Sequence, residues 1–120
     1  MCGFLIADRT ETSVNNIQAI DQMSYRGIPS YKGYKQWGNY DLVHIALPMI
    51  DPDPEIAIQP IQRFDEPPTM FVGEIFNYKD FAGDNFMSDA YMIHHMLCSG
   101  ELENVIHEFD GFWADFWGPK

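Results

Sequence analysis

Basic residues are scarce in this chain: seven Lys and Arg stand against 18 Asp and Glu, giving a formal net charge of −11 over 120 residues. The few cations are scattered rather than clustered, so no stripe exists to track a phosphate backbone, and nucleic-acid binding is excluded as an expectation. An acidic surface is equally unsuited to an anionic membrane. Cysteine is nearly absent, with Cys2 and Cys98 as the only thiols. No export signal is visible at the amino terminus, so both are expected to stay reduced in a cytoplasmic setting. Long apolar runs are missing too. The opening segment Met1-Cys2-Gly3-Phe4-Leu5-Ile6-Ala7-Asp8 has no basic flank, and its apolar stretch is too short to cross a bilayer.

What is present reads as a folded globular protein. Hydrophobic residues make up 46% and aromatics 15%, enough for one modest core, and residues 1–120 are expected to form a single domain. Residues 3–7 (Gly-Phe-Leu-Ile-Ala) read as a buried strand. Residues 13–25 read as an amphipathic helix, capped by Thr12 or Ser13, with Val14, Ile17, Ile20 and Met23 at near-helical spacing. A loop rich in Tyr, Gly and Lys follows, and residues 41–47 form the next expected strand. Prolines and acids through residues 48–68 exclude a helix and suggest a long active-site loop. Residues 69–72 read as a strand ending at Gly73-Glu74. Ser88 should cap a helix closed by Gly100, with Ala90, Ile93 and Leu97 on its buried face. A third helix over 102–109 and a terminal strand over 112–117 complete the pattern. Strands and helices mix without the alternation of a doubly wound sheet, which predicts an α+β class.

The first chemical signal is Met1-Cys2-Gly3. Removal of Met1 would leave a terminal cysteine, with a thiol and a free amine on adjacent carbons. An α-amine with a reference pKa of about 8 is partly neutral near pH 7 and can take the thiol proton, so one residue supplies nucleophile and base.

Other segments share a register with it. Gly73-Glu74-Ile75-Phe76-Asn77-Tyr78-Lys79 resembles the Asn-Gly-Glu-Ile-Tyr-Asn-Tyr signature of class II glutamine amidotransferase domains, as in the glutaminase half of asparagine synthetase. His44-Ile45-Ala46-Leu47-Pro48-Met49-Ile50-Asp51 is similar to that family's His-x-Arg-Leu-x-Ile-x-Asp, and Gln59-Pro60 to its following Gln-Pro. Ser88-Asp89 opens a helix as the family's Ser-Asp pair does. The run from Phe109-Asp110-Gly111 to Trp117 resembles Leu-Asp-Gly-x-Phe-Ala-x-x-x-Trp. Arg26-Gly27 matches an Arg-Gly, although Ile28-Pro29 stands where Pro-Asp would follow.

The resemblance implies an Ntn-hydrolase-like αββα sandwich of two antiparallel sheets, shortened at the carboxyl end, with the terminal cysteine at the end of a central strand. It implies a glutaminase that releases ammonia from glutamine through a thioester on Cys2. Gly73 would supply an oxyanion-hole N–H, and Glu74 and Asp89 would hold the substrate's α-amino group. Two positions depart from the pattern. Ala46 stands where the family has the arginine that clamps the α-carboxylate, and Val72 where it has the second oxyanion donor, an asparagine. Loss of one such donor typically raises the barrier by about 2.7–4 kcal/mol, and Arg26, Lys32 or Arg63 is a possible replacement cation. Expected partners are a small-molecule amide, glutamine first, and an ammonia-using protein or a second copy supplying the missing strands. The alternative is a lapsed or altered-substrate relative that serves as a ligand-binding or assembly subunit.

Other constellations carry less. His94 and Cys98 share a helical face at i, i+4, with His95 and His107 near, but two ligands make no metal site, and neither a metal nor a cofactor is expected. Asp51, Asp53 and Glu55 match no calcium-loop spacing. Trp37, Trp113 and Trp117 read as core or interface aromatics.

Overall fold

Tyr40–Ile45 is the strand about which the amino-terminal half is organised: Leu42, Val43, His44 and Ile45 are all at most 2% exposed. Four buried residues in a row mean that both faces of the strand are covered, as in the interior of a sheet. A computed structural model of the chain describes residues 2–8, 21–27, 31–47, 58–83 and 88–119. Most of the helix expected over 13–25, and the acids Asp51, Asp53 and Glu55, lie outside the described residues. Residues 21–23 are helical and run into a 3-10 turn, Ser24–Arg26. The described chain forms two compact units, Met1–Pro60 and Ile61–Lys120, taken in turn below.

In the first unit, β1 (Gly3–Asp8), β2 (Lys32–Trp37) and β3 (Tyr40–Ile45) form an antiparallel sheet in the order β1-β3-β2. The turn at Gly38-Asn39 closes a hairpin in which Trp37 faces Tyr40 and Lys32 faces Ile45. β1 pairs along the other side of β3, from Gly3 opposite Ile45 to Asp8 opposite Tyr40. The family resemblance implies a cysteine at the end of a central strand. The structure places it before β1, which is an edge strand among the described residues. The reason is β2, read from its composition as loop, which takes the remaining side of β3 and leaves the central position to that strand.

In the second unit, β4 (Thr69–Ile75) pairs antiparallel with β5 (Gly111–Trp117), from Thr69 opposite Trp117 to Ile75 opposite Gly111. Between them lie α1 (Tyr78–Ala82), α2 (Asp89–Ser99), α3 (Leu102–Val105) and a 3-10 turn, Ile106–Glu108. Ser88 Oγ accepts from the Tyr91 N–H at the start of α2, and Gly100, in the left-handed region at φ 80°, closes it. The buried face of α2 is Ala90, Met92, Ile93 and Met96, with Asp89 and His94; Leu97 is only half-buried. This face packs with Ile61, Phe71, Ile75, Tyr78, Ala82 and Leu102 in one core. Phe81, Phe109 and Trp113 extend it by edge-on ring contacts of 5.0 and 5.8 Å between centroids. The chain is thus mixed α and β with two antiparallel sheets. No helix among the described residues is long and apolar enough to cross a membrane.

Candidate functional site

Cys2 is half-buried at the entrance to β1. β1 begins at Gly3, opposite Ile45 at the end of β3, and the backbone just after β3 meets the cysteine beside it. The Leu47 N–H donates to Cys2 Sγ at 3.3 Å, and the thiol lies 3.7 Å from the Leu47 carbonyl oxygen. Sulfur is therefore held at a fixed place rather than left on a loose terminus. On its other flank, Arg26 Nε donates to the Cys2 carbonyl oxygen at 3.2 Å. Arg26 comes from the 3-10 turn, and the next residue explains how the turn gets so close. A Cβ at Gly27 would lie 2.5 Å from the Ala46 carbonyl oxygen, so a side chain there would push the turn away from the strand. Ala46 itself is 3% exposed, and its N–H donates to the Tyr31 carbonyl at 3.2 Å. Of the three cations proposed as replacements for an arginine at position 46, the structure puts Arg26 against the cysteine.

Gly73, Glu74 and Asp89 belong to the second unit and gather where β4 ends and α2 begins. Asp89 Oδ2 accepts from the Ile75 N–H at 3.0 Å, and Oδ1 accepts from the Ala90 N–H at 2.9 Å. Each oxygen keeps a second lone pair. Burial, the largest influence, raises the Asp89 carboxyl above its ordinary value; the backbone N–H groups of Ile75, Ala90 and Asp89 itself oppose the shift and the neighbouring Glu74 charge adds to it. Along β4, the Thr69 and Ile75 N–H groups bond Ile61 and Asp89, on the edge away from β5. By the two-residue period of a strand, the Gly73 N–H is directed to that same edge. Gly73 has φ 122°, and a Cβ there would come within 2.1 Å of the Phe112 carbonyl oxygen.

A further cluster in the second unit was only half visible in sequence. Glu66, His94 and Cys98 bring their ligand atoms together at the mouth of a cleft also lined by Arg63, Tyr91 and His95. His94 Nε2 lies 3.2 Å from Glu66 Oε2 and 3.8 Å from Cys98 Sγ, and Cys98 Sγ lies 3.6 Å from Glu66 Oε2. His94 Nδ1 shares a hydrogen bond of 2.8 Å with Thr69 Oγ1, which is fully buried. Burial holds the His94 pKa below its ordinary value; the Glu66 carboxylate works against this and Arg63 and His95 reinforce it. The i, i+4 pair on α2 was the sequence signal. Glu66 was not, because it sits in the proline-rich segment, which is tied to β4 by the bridge that joins Ile61 to Thr69.

Comparison with known protein families, with curated proteins and with solved structures finds no match to this chain.

Proposed function

We propose that the chain is an N-terminal-cysteine amidohydrolase of the class II glutamine amidotransferase type, with an Ntn-hydrolase-like fold, acting on glutamine or a closely related small amide in the cytoplasm. One observation carries the reading: the bond from Arg26 Nε to the Cys2 carbonyl. It joins two motif matches, Met-Cys-Gly and Arg-Gly, that lie far apart in sequence, and sets a permanent positive charge beside the nucleophile in a chain that has Ala46 where a clamping arginine is expected. A guanidinium offers two parallel donors to a carboxylate, so Arg26 is assigned to the substrate's α-carboxylate.

Chemistry follows from the terminal residue. With Met1 removed, the Cys2 amine takes the thiol proton and sulfur attacks the amide carbon. An S–C bond forms, the C–N bond breaks, and ammonia leaves with the proton returned by the amine. Water then adds to the thioester, releasing the acid and the thiol. Gly73 N–H is assigned to the oxyanion, and Glu74 and Asp89 to the substrate ammonium. Val72 leaves the oxyanion with a single backbone donor, so turnover is slow. An ammonia-consuming partner protein is the expected recipient, and a second copy of this chain the alternative partner.

The test is ammonia release from glutamine by the mature chain, with intact mass to establish loss of Met1 and Cys2→Ala as the blank. Slow, Cys2-dependent release is expected. Arg26→Ala should raise KM by about 10–100-fold with a smaller change in kcat, the cost of a charge-assisted contact. Ala46→Arg with Val72→Asn should raise the rate. Silence from the wild type and from the double variant would overturn glutaminase activity in the isolated chain and favour a missing partner or a non-catalytic binding subunit, the role that Ala46 and Val72 favour.

A further inference from the structure

We propose that Glu66, His94 and Cys98 form a zinc site with three protein ligands and a fourth position open to the cleft. The case is first geometric. Zinc binds oxygen and nitrogen at about 2.0 Å and sulfur at about 2.3 Å. At the tetrahedral angle its ligand atoms then stand about 3.3 Å (N to O) and about 3.5 Å (S to O or S to N) apart. The observed separations are 3.2, 3.6 and 3.8 Å. The three ligand atoms thus already stand at separations within about 0.3 Å of those a bound ion would impose.

The surroundings suit the ion as well. A metal-bound imidazole nearly always donates its other N–H to a fixed acceptor. Here Thr69 Oγ1 lies 2.8 Å from His94 Nδ1. Its hydroxyl can donate or accept, so it can take the hydrogen bond from Nδ1–H in the tautomer that leaves Nε2 open to the metal. The donor set is one nitrogen, one sulfur and one oxygen, which favours a borderline ion over calcium or magnesium. Charge closes too. Binding expels the Cys98 thiol proton to solvent, and a thiolate, a carboxylate and a neutral imidazole together balance a divalent cation. Arg63, on the wall of the same cleft, works against the cation and favours an anionic group in the open position. The Glu66 side chain is 42% exposed and that of His94 3%, so the ion enters from solvent along Glu66 onto a rigid base.

Cobalt(II) is the probe, added to the reduced, chelator-treated full chain. Expected are stoichiometric binding, an intense visible spectrum of tetrahedral form, and a sulfur-to-cobalt charge-transfer band. Zinc should displace the cobalt and abolish the spectrum. The charge-transfer band should vanish in Cys98→Ser and persist in Cys2→Ser, which separates this site from the other thiol. Glu66→Gln, on a half-exposed side chain whose change leaves the fold intact, should weaken binding by more than the about 10–100-fold that loss of an outer-shell partner costs. A weak octahedral spectrum, a band that survives Cys98→Ser, or unchanged affinity in Glu66→Gln would each overturn the proposal. If Cys98→Ser does not fold, Glu66→Gln decides alone.

Discussion

Gly73→Ala should destabilise the second unit by about 2–6 kcal/mol, more than the same change at a glycine with open space around it. Two costs add. At φ 122° an L-residue is held outside its allowed regions, a strain of about 1–3 kcal/mol. The new Cβ would also lie 2.1 Å from the Phe112 carbonyl oxygen and 2.6 Å from the Trp113 Cα. Both are backbone atoms of the paired strand, so no side chain can swing away, and overpacking of this kind costs about 1–3 kcal/mol more. Gly100→Ala is the comparison. Its φ is 80° with nothing within 4 Å of a Cβ, so it should cost only the about 1–2 kcal/mol of a left-handed alanine. Denaturant unfolding followed through Trp113 and Trp117 reads both. Equal shifts for the two variants would mean that β4 and β5 do not approach at Gly73 as described.

Asp89→Ala should cost about 2–4 kcal/mol, because it leaves the Ile75 and Ala90 N–H groups without their acceptors in a buried place. Asp89→Asn should cost less, about 1–2 kcal/mol, since its one oxygen can keep either bond. The more diagnostic difference is in pH dependence. The folded-state pKa of Asp89 is raised above its ordinary 3.8 by burial. A raised carboxyl favours folding when protonated, so its contribution is fully present below 3.8 and is lost as pH rises through the folded value. Subtracting the Asp89→Asn stability profile from that of the wild type should therefore leave a component that grows on acidification and levels off below 3.8. Subtraction is needed because desolvation also raises Asp115, although most of that residue is exposed, and burial lowers His94. A difference that grows instead toward neutral pH would mean that the backbone donors outweigh burial.

How much of this was legible in sequence depended on whether a signal was local. β1, β3 and β4 announced themselves as short apolar runs bounded by polar or glycine residues, and Ser88 and Gly100 marked both ends of α2. β2 did not. Lys32, Gly33, Tyr34, Lys35, Gln36 and Trp37 bury chiefly a glycine, so the strand carries no apolar alternation and owes its conformation to pairing with β3. The buried face of α2 was read as Ala90, Ile93 and Leu97, whereas Met92 and Met96 share it with Ala90 and Ile93. Methionine's adaptable side chain weakens the periodic signal. At the sites, Cys2 and Arg26 could be named from motifs, but their contact spans 24 positions and is a property of the fold. Glu66 and His94, 28 positions apart, are the same case with no motif to help.

The order of strands in the first unit also sets an order in time. β2 and β3 are joined by a two-residue turn, and a hairpin of that kind closes in about 1–10 μs. β1 must instead find β3 across the whole segment between Asp8 and Tyr40, so its docking carries the larger entropic cost of a long loop and comes later. Cys2 hangs on that late strand. Its sulfur reaches the Leu47 amide only when β1 has zipped along β3, so the thiol is set in place after the hairpin has closed. In a refolding experiment with pulses of an alkylating reagent, protection of Cys2 would therefore time the docking of β1, after the hairpin amides have already closed.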